Sequence, residues 1–140
     1  MPGGNNRARA AAPVLCIVDD DASTVDLVRE VAEESGWVAY DFSRIDEVRR
    51  FLDRRHPALL ILDDDLPDGR GGDLGRELRD DPATAGVATV EGTAANARRK
   101  GEIGGWAAVI SKPFDLAEIE DVLHARAPRA RRTHGESAAR

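Results

Sequence analysis

Two stretches of the chain are apolar without interruption over the length of a strand: Val14-Leu15-Cys16-Ile17-Val18 and Leu59-Leu60-Ile61-Leu62. A strand with one wet face alternates, so unbroken runs indicate strands covered on both faces, as in a parallel sheet. Weaker strand patterns fall at Val38-Ala39-Tyr40, around Val87 to Val90, and at Ala107-Ala108-Val109-Ile110. Helical periodicity lies between them. Ser23 with Asp26 reads as a capping box, Val25, Leu27, Val28, Val31 and Ala32 follow as an apolar face, and Gly36 stands at the C′ position. Ile45, Val48, Phe51 and Leu52 mark a second helix, and Leu74 with Leu78 a third. Asp115 with Glu118 opens a last helix whose buried side is expected to be Leu116, Ile119, Val122 and Leu123. Strands alternating with helices define right-handed βαβ units and a doubly wound α/β sheet.

One domain accounts for 140 residues. We place it at 13–126, between an N-terminal tail (1–12) and a basic C-terminal tail (127–140), both read as flexible from their lack of apolar periodicity. No stretch approaches the roughly 20 apolar residues of a membrane span, and no apolar segment for secretion opens the chain. With a single cysteine, Cys16, no internal disulfide can form, which suits a cytoplasmic protein. Its place in an apolar run marks it as a buried, inert thiol. A net charge of −6 argues against nucleic acid as the partner, despite the arginines of the tail.

In doubly wound sheets the chemistry lies beyond the carboxyl ends of the strands. The first apolar strand ends in Asp19-Asp20-Asp21, the third in Asp63-Asp64-Asp65, and the last in Ser111-Lys112-Pro113. Each piece alone reads as a turn or a helix cap. Together they bring two carboxylate clusters and one ammonium to one rim. Clustered carboxylates call for a cation, and a hard divalent ion such as Mg²⁺ binds carboxylates, waters and phosphate oxygens. A carboxylate there can attack phosphorus to give an acyl phosphate, with Lys112 balancing the phosphoryl charge and Thr93 as a nearby hydroxyl.

Four motifs make the chain resemble the receiver domain of bacterial response regulators, of the single-domain, chemotaxis-regulator-like type, over about residues 13–126. They are Val14-Leu15-Cys16-Ile17-Val18-Asp19-Asp20-Asp21, Pro57-Ala58-Leu59-Leu60-Ile61-Leu62-Asp63, Leu66-Pro67-Asp68-Gly69-Arg70-Gly71 and Ser111-Lys112-Pro113-Phe114-Asp115. The resemblance implies a flavodoxin-like (βα)5 fold with five parallel strands in the order 2-1-3-4-5. It makes Asp19 and Asp20 the acidic pair that holds Mg²⁺, Asp63 the phosphoacceptor, and Asp65 a metal ligand through its backbone carbonyl. Lys112 becomes the phosphate-contacting lysine, Pro113 the end of a cis peptide bond, and Gly71 the turn into the following helix. A sensor histidine kinase or phosphotransfer protein is the implied donor. Output is expected through an unknown partner protein at the surface of the family's fourth helix, fifth strand and fifth helix, because no effector domain follows residue 126. No catalytic turnover is expected beyond loss of the protein's own phosphoryl group.

The departures from the family lie in the second half. Thr93 aligns with the switch threonine, and Thr89 is the alternative hydroxyl. Glu91 and Gly92 occupy what should be an apolar strand end, so the fourth strand is expected to stop at Val90. The next helix would be short, about Asn96 to Glu102, and Val109 stands where the family commonly has an aromatic ring. Trp106 and Tyr40 are the nearest aromatic residues in sequence terms, and neither occupies that position. These departures keep open a phosphorylation-independent interaction scaffold. Asp63-Asp64-Asp65 also resembles the Asp-x-Asp motif of haloacid-dehalogenase-type phosphatases, but Pro67 and the mid-chain position speak against it. His56, His124 and His134 have no metal-ligand spacing.

Overall fold

A computed structural model describes residues 12–94 and 106–127. Strands and helices alternate: β1 (Val14–Val18), α1 (Ala22–Glu34), β2 (Val38–Phe42), α2 (Ile45–Leu52), β3 (Leu59–Asp63) and then a small hairpin, β4 (Asp65–Leu66) and β5 (Gly69–Arg70). They continue as α3 (Gly71–Asp80), β6 (Ala88–Ala94), β7 (Ala108–Lys112) and α4 (Leu116–Arg126). The main sheet has the order β2-β1-β3-β6-β7 with every pairing parallel. Counting its five strands alone, this is the expected 2-1-3-4-5.

The unbroken apolar runs have the reason inferred for them. Leu15 and Ile17 of β1, with Leu59 and Ile61 of β3, point into a core closed by α1 and α4 through Val28, Ile119 and Leu123. The alternate residues Cys16, Val18, Leu60 and Leu62 point into a second core closed by α2 and α3 through Val48, Leu52, Leu74 and Leu78. Each fully buried aliphatic side chain contributes about 1.5–3 kcal/mol, so removing one face of this pattern would unfold the sheet. The Cys16 thiol is fully buried, and burial pushes its pKa up to about 12, as an inert thiol requires.

Four local expectations are corrected. Helix α1 is capped by Asp21, two residues earlier than the Ser23–Asp26 box, because Asp21 accepts from the Ser23 amide and so satisfies the exposed first turn. Its other end is as expected: Gly36 at φ +88° lets the Trp37 amide reach back to the Ala32 carbonyl at 3.0 Å. Strand β6 does not stop at Val90 but runs on through Glu91 to Ala94. Glu91, only 5 % exposed, is held between two ladders, opposite Leu62 and Val109, and the backbone pairing on both sides carries the strand past the buried carboxylate. Leu116 is 51 % exposed, leaving Ile119 and Leu123 as the buried side of α4, and Asp115 stands at the N-cap without a side-chain capping bond. The expected helix at Asn96–Glu102 and most of both tails lie outside the described residues.

Candidate functional site

Strands β1, β3 and β7 end on the same rim, and the sequence immediately beyond each supplies the polar groups. Asp19 is 5 % exposed, its backbone amide donates to the Phe42 carbonyl at 3.0 Å, and its Oδ1 accepts from the Asp21 amide at 2.9 Å. The carboxylate is therefore aimed by the chain itself. Asp63, 8 % exposed, closes β3 between β1 and β6. Lys112 closes β7 and reaches both acids: Nζ lies 2.8 Å from Asp19 Oδ2 and 3.1 Å from Asp63 Oδ1. Asp20 is exposed, yet one oxygen from each of Asp19, Asp20 and Asp63 falls within 4.8 Å of the others.

The electrostatics follow from this packing. Burial, and next the negative charge of Asp19, push the Asp63 pKa up to about 6 against the opposing hydrogen bond from Lys112. Burial works to lower the Lys112 pKa, but its hydrogen bonds to Asp19 and Asp63 outweigh that and leave it raised. A single ammonium thus serves two buried carboxylates while a third stands beside them. That is a cation-seeking pocket. Oxygens sharing one octahedral Mg²⁺ shell at 2.0–2.1 Å sit about 3–4 Å apart. The three aspartates need only a small inward adjustment to reach that spacing, so the donor set fits the ion.

The two acidic runs divide their labour, which the sequence did not reveal. Asp21 is taken up by α1: Thr24 Oγ1 donates to its Oδ2 at 2.7 Å, and this bond first, with those from Ser23, holds its pKa below the usual carboxylate range. Asp64 is taken up by α3, where its Oδ1 accepts from the Gly72 amide at 2.9 Å and its Oδ2 pairs with Arg70. Asp65 opens the hairpin, exposed and opposite Arg70, and its side chain is outside the three-acid cluster. Gly71 starts α3 directly against β3, where a Cβ would overlap the Asp63 carbonyl oxygen. A side chain at position 71 would therefore displace the end of β3 itself.

Thr93 is buried, 7 % exposed, near the end of β6, one residue beyond Gly92, which pairs with Asp63. Thr89 pairs with Leu60, three residues or about 10 Å before Asp63 along the sheet, and accepts from Arg79 Nη1 at 3.4 Å. Thr93 is therefore the hydroxyl at the rim. The Lys112–Pro113 peptide bond is cis. Val109 is half-buried on β7, with no aromatic ring taking its place. Trp106 stacks under Arg79 at 5.0 Å at the amino end of β7, and Tyr40 packs on Phe51 at 5.0 Å near the β2 edge. Neither ring is at the rim. Instead, the Phe114 ring fills the space above Gly92, 2.7 Å from where a Cβ would stand.

Five parallel strands wound on both sides, with acids at two neighbouring tips and a lysine at a third, define a receiver-type α/β protein. The comparisons agree. The family description of the response regulator receiver domain matches residues 15–124, and the chain belongs to that family. It is 32 % identical over 122 residues to the phosphate regulon transcriptional regulatory protein PhoB of Rhizobium meliloti, covering 85 % of this chain and 54 % of that protein. The chain thus spans about half the length of this curated relative. A response regulator from Chloroflexus aurantiacus matches with TM-score 0.76 and 25 % identity, over 84 % of this chain and 99 % of that one. The receiver domain of a sensor histidine kinase from Pseudomonas aeruginosa, solved with magnesium in its active-site cleft, matches in fold at TM-score 0.73 and 20 % identity, over 84 % and 98 %. The protein is a receiver domain of two-component signalling, the module that accepts a phosphoryl group.

Proposed function

We propose that Asp63 is the phosphoacceptor and that Asp19, Asp20, Asp63 and the Asp65 backbone carbonyl hold a Mg²⁺ ion beside it. The observation that carries this reading is Lys112 bridging Asp19 and Asp63 at 2.8 and 3.1 Å with Asp20 in reach. A carboxylate oxygen of Asp63 attacks the phosphorus of a phosphohistidine on a sensor kinase or phosphotransfer protein. The O–P bond forms as the P–N bond breaks, and the departing imidazole nitrogen takes up a proton. Bound Mg²⁺ would neutralise charge on the phosphoryl oxygens. Lys112 then leaves its pairing with Asp63 and follows the new phosphoryl group, and Thr93 donates its hydroxyl to it.

The protein performs no turnover beyond slow hydrolysis of its own acyl phosphate. It works in the cytoplasm, and no helix among the described residues is long and apolar enough to cross a membrane. Output passes to a downstream protein over the β7–α4 surface. One feature favours the scaffold reading: the half-buried Val109 replaces a reorienting ring, so phosphorylation has a weaker lever on that surface. Two measurements decide. Labelling by acetyl phosphate should require Mg²⁺ and be abolished in Asp63→Asn; labelling retained in that variant would sink the assignment. Adding Mg²⁺ with beryllium fluoride should shift the amide resonances of Asp63 and Thr93; silence at both supports the scaffold.

A further inference from the structure

We infer that Asp68 is a positioning residue that straps the hairpin after the acceptor to the start of α2, and through β2 to the strand carrying the acidic pair, and thereby sets the affinity for the metal. The inference presupposes Mg²⁺ at Asp19, Asp20 and Asp63. Helix α2 begins without a cap of its own: the N-cap residue is Arg44, whose side chain has no acceptor, and it makes no capping bond. The missing acceptor comes from Asp68, 23 residues after Ile45 and 22 after Asp46. Asp68 Oδ1 accepts from the Ile45 amide at 2.8 Å and Oδ2 from the Asp46 amide at 3.1 Å, with Arg44 Nη2 at 3.7 Å. Both oxygens of one carboxylate close the first two amides of α2. The Ile45 bond is the chief cause holding the Asp68 carboxyl below its usual range.

The position of Asp68 turns this cap into a strap. It occupies the turn between β4 and β5, a hairpin that starts at Asp65, two residues after the acceptor. The same turn docks on α2 through buried Leu66 and through Gly69, where a Cβ would sit 3.0 Å from Ile45 Cδ1. The N-terminus of α2 follows directly from β2, whose last residue, Phe42, accepts the Asp19 amide. A continuous path of backbone and hydrogen bonds therefore runs from Asp19 through Phe42, Ile45 and Asp68 to Asp65 and Asp63. Between its ends at Asp19 and at Asp65 and Asp63, the links through Phe42, Ile45 and Asp68 use no group that would touch the ion. Releasing it leaves every candidate ligand present but frees the hairpin main chain to drift, which is how groups behind a metal's own ligands control affinity.

The test separates helix capping from site positioning. Mg²⁺ is titrated into the wild type, Asp68→Asn, Asp68→Ala and the double variant Arg44→Ser with Asp68→Ala, following amide resonances of Asp19–Asp21 and Asp63–Leu66. Serine at position 44 restores a cap from within α2, so the double variant regains thermal stability while the strap stays cut. Asp68→Ala and the double variant should both bind Mg²⁺ roughly tenfold more weakly. Asp68→Asn, which keeps one acceptor, should fall between them and wild type. Labelling by acetyl phosphate should then need more Mg²⁺ but reach the wild-type rate at saturation. If the double variant binds like wild type, the strap has no role in positioning, even though the metal reading stands. If the wild type itself takes up no Mg²⁺, both fall together.

Discussion

Replacing Asp63 by Asn should stabilise the protein in the absence of divalent ions, and the gain should depend on pH in a defined way. The Asp63 carboxyl has its pKa raised from 3.8 to about 6 by burial and by Asp19. A raised folded-state pKa means that the folded protein holds the proton more tightly than the unfolded chain. This contribution to stability is complete below pH 3.8 and is lost as pH rises through about 6. At 1.36 kcal/mol per pKa unit the ionised carboxylate costs roughly 3 kcal/mol above neutrality, but only about 1 kcal/mol near pH 4.5. Asparagine has no charge to bury and can still accept from Lys112. With EDTA present, Asp63→Asn should therefore raise Tm by several degrees at pH 7.5, about 3 °C per kcal/mol for a chain of this size, and by much less at pH 4.5. Thermal melts at both pH values measure the difference directly. Saturating Mg²⁺ should reverse the order, since it stabilises only the chain that still has the full donor set. A gain that is equal at both pH values, or a loss at pH 7.5, would refute the claim that a strained carboxylate is the acceptor.

Lys112→Met should leave Asp19 and Asp63 facing each other without a cation. Its melting temperature at pH 7.5 should fall, and recover either on acidification to about pH 5 or on addition of Mg²⁺. Gly92→Val should drive the Phe114 ring from its seat and destabilise by about 1–3 kcal/mol, a loss reduced in a Phe114→Leu background. Gly71→Ala should abolish labelling by acetyl phosphate while far-UV circular dichroism stays near wild type, because the new methyl group displaces the Asp63 backbone. Intrinsic tryptophan emission should change little on Mg²⁺ addition, since Trp37 precedes β2 and Trp106 precedes β7, both away from the carboxyl rim.

The fold and the pocket could be read from the chain because both rest on short, local signals. Unbroken runs at Val14–Val18 and Leu59–Leu62 can only be strands wet on neither side, and the polar residue that ends each run must then lie at the rim. What could not be read was how neighbouring acids share their work. Asp19, Asp20 and Asp21 are identical in sequence terms, yet one is aimed by backbone bonds, one is solvent-facing and one caps α1. The same holds at Asp63, Asp64 and Asp65. Glu91 misled because apolarity was taken as the requirement for a central strand, whereas ladders to β3 and β7 hold it in place. Leu116 misled because helical period alone does not say which residue of the first turn meets the sheet.

Charge placement links stability and signalling in this molecule. The rim gathers three carboxylates around one ammonium, an arrangement that weakens the metal-free fold and is relieved only when positive charge or a proton arrives. Such a site must be held together by something other than its own groups, or the strands would splay at their tips. The holding groups are the acids that do not enter the pocket: Asp21 fastens α1, Asp64 fastens α3, and Asp68 fastens the hairpin to α2. Each satisfies a helix start with a carboxylate, so the negative charge outside the pocket lies against helix N-termini rather than adding to the repulsion within it. The abundance of aspartate at the strand ends therefore has two physical origins. Asp19, Asp20 and Asp63 create the electrostatic strain, while Asp21 and Asp64, with Asp68 in the hairpin turn, anchor the backbone against it.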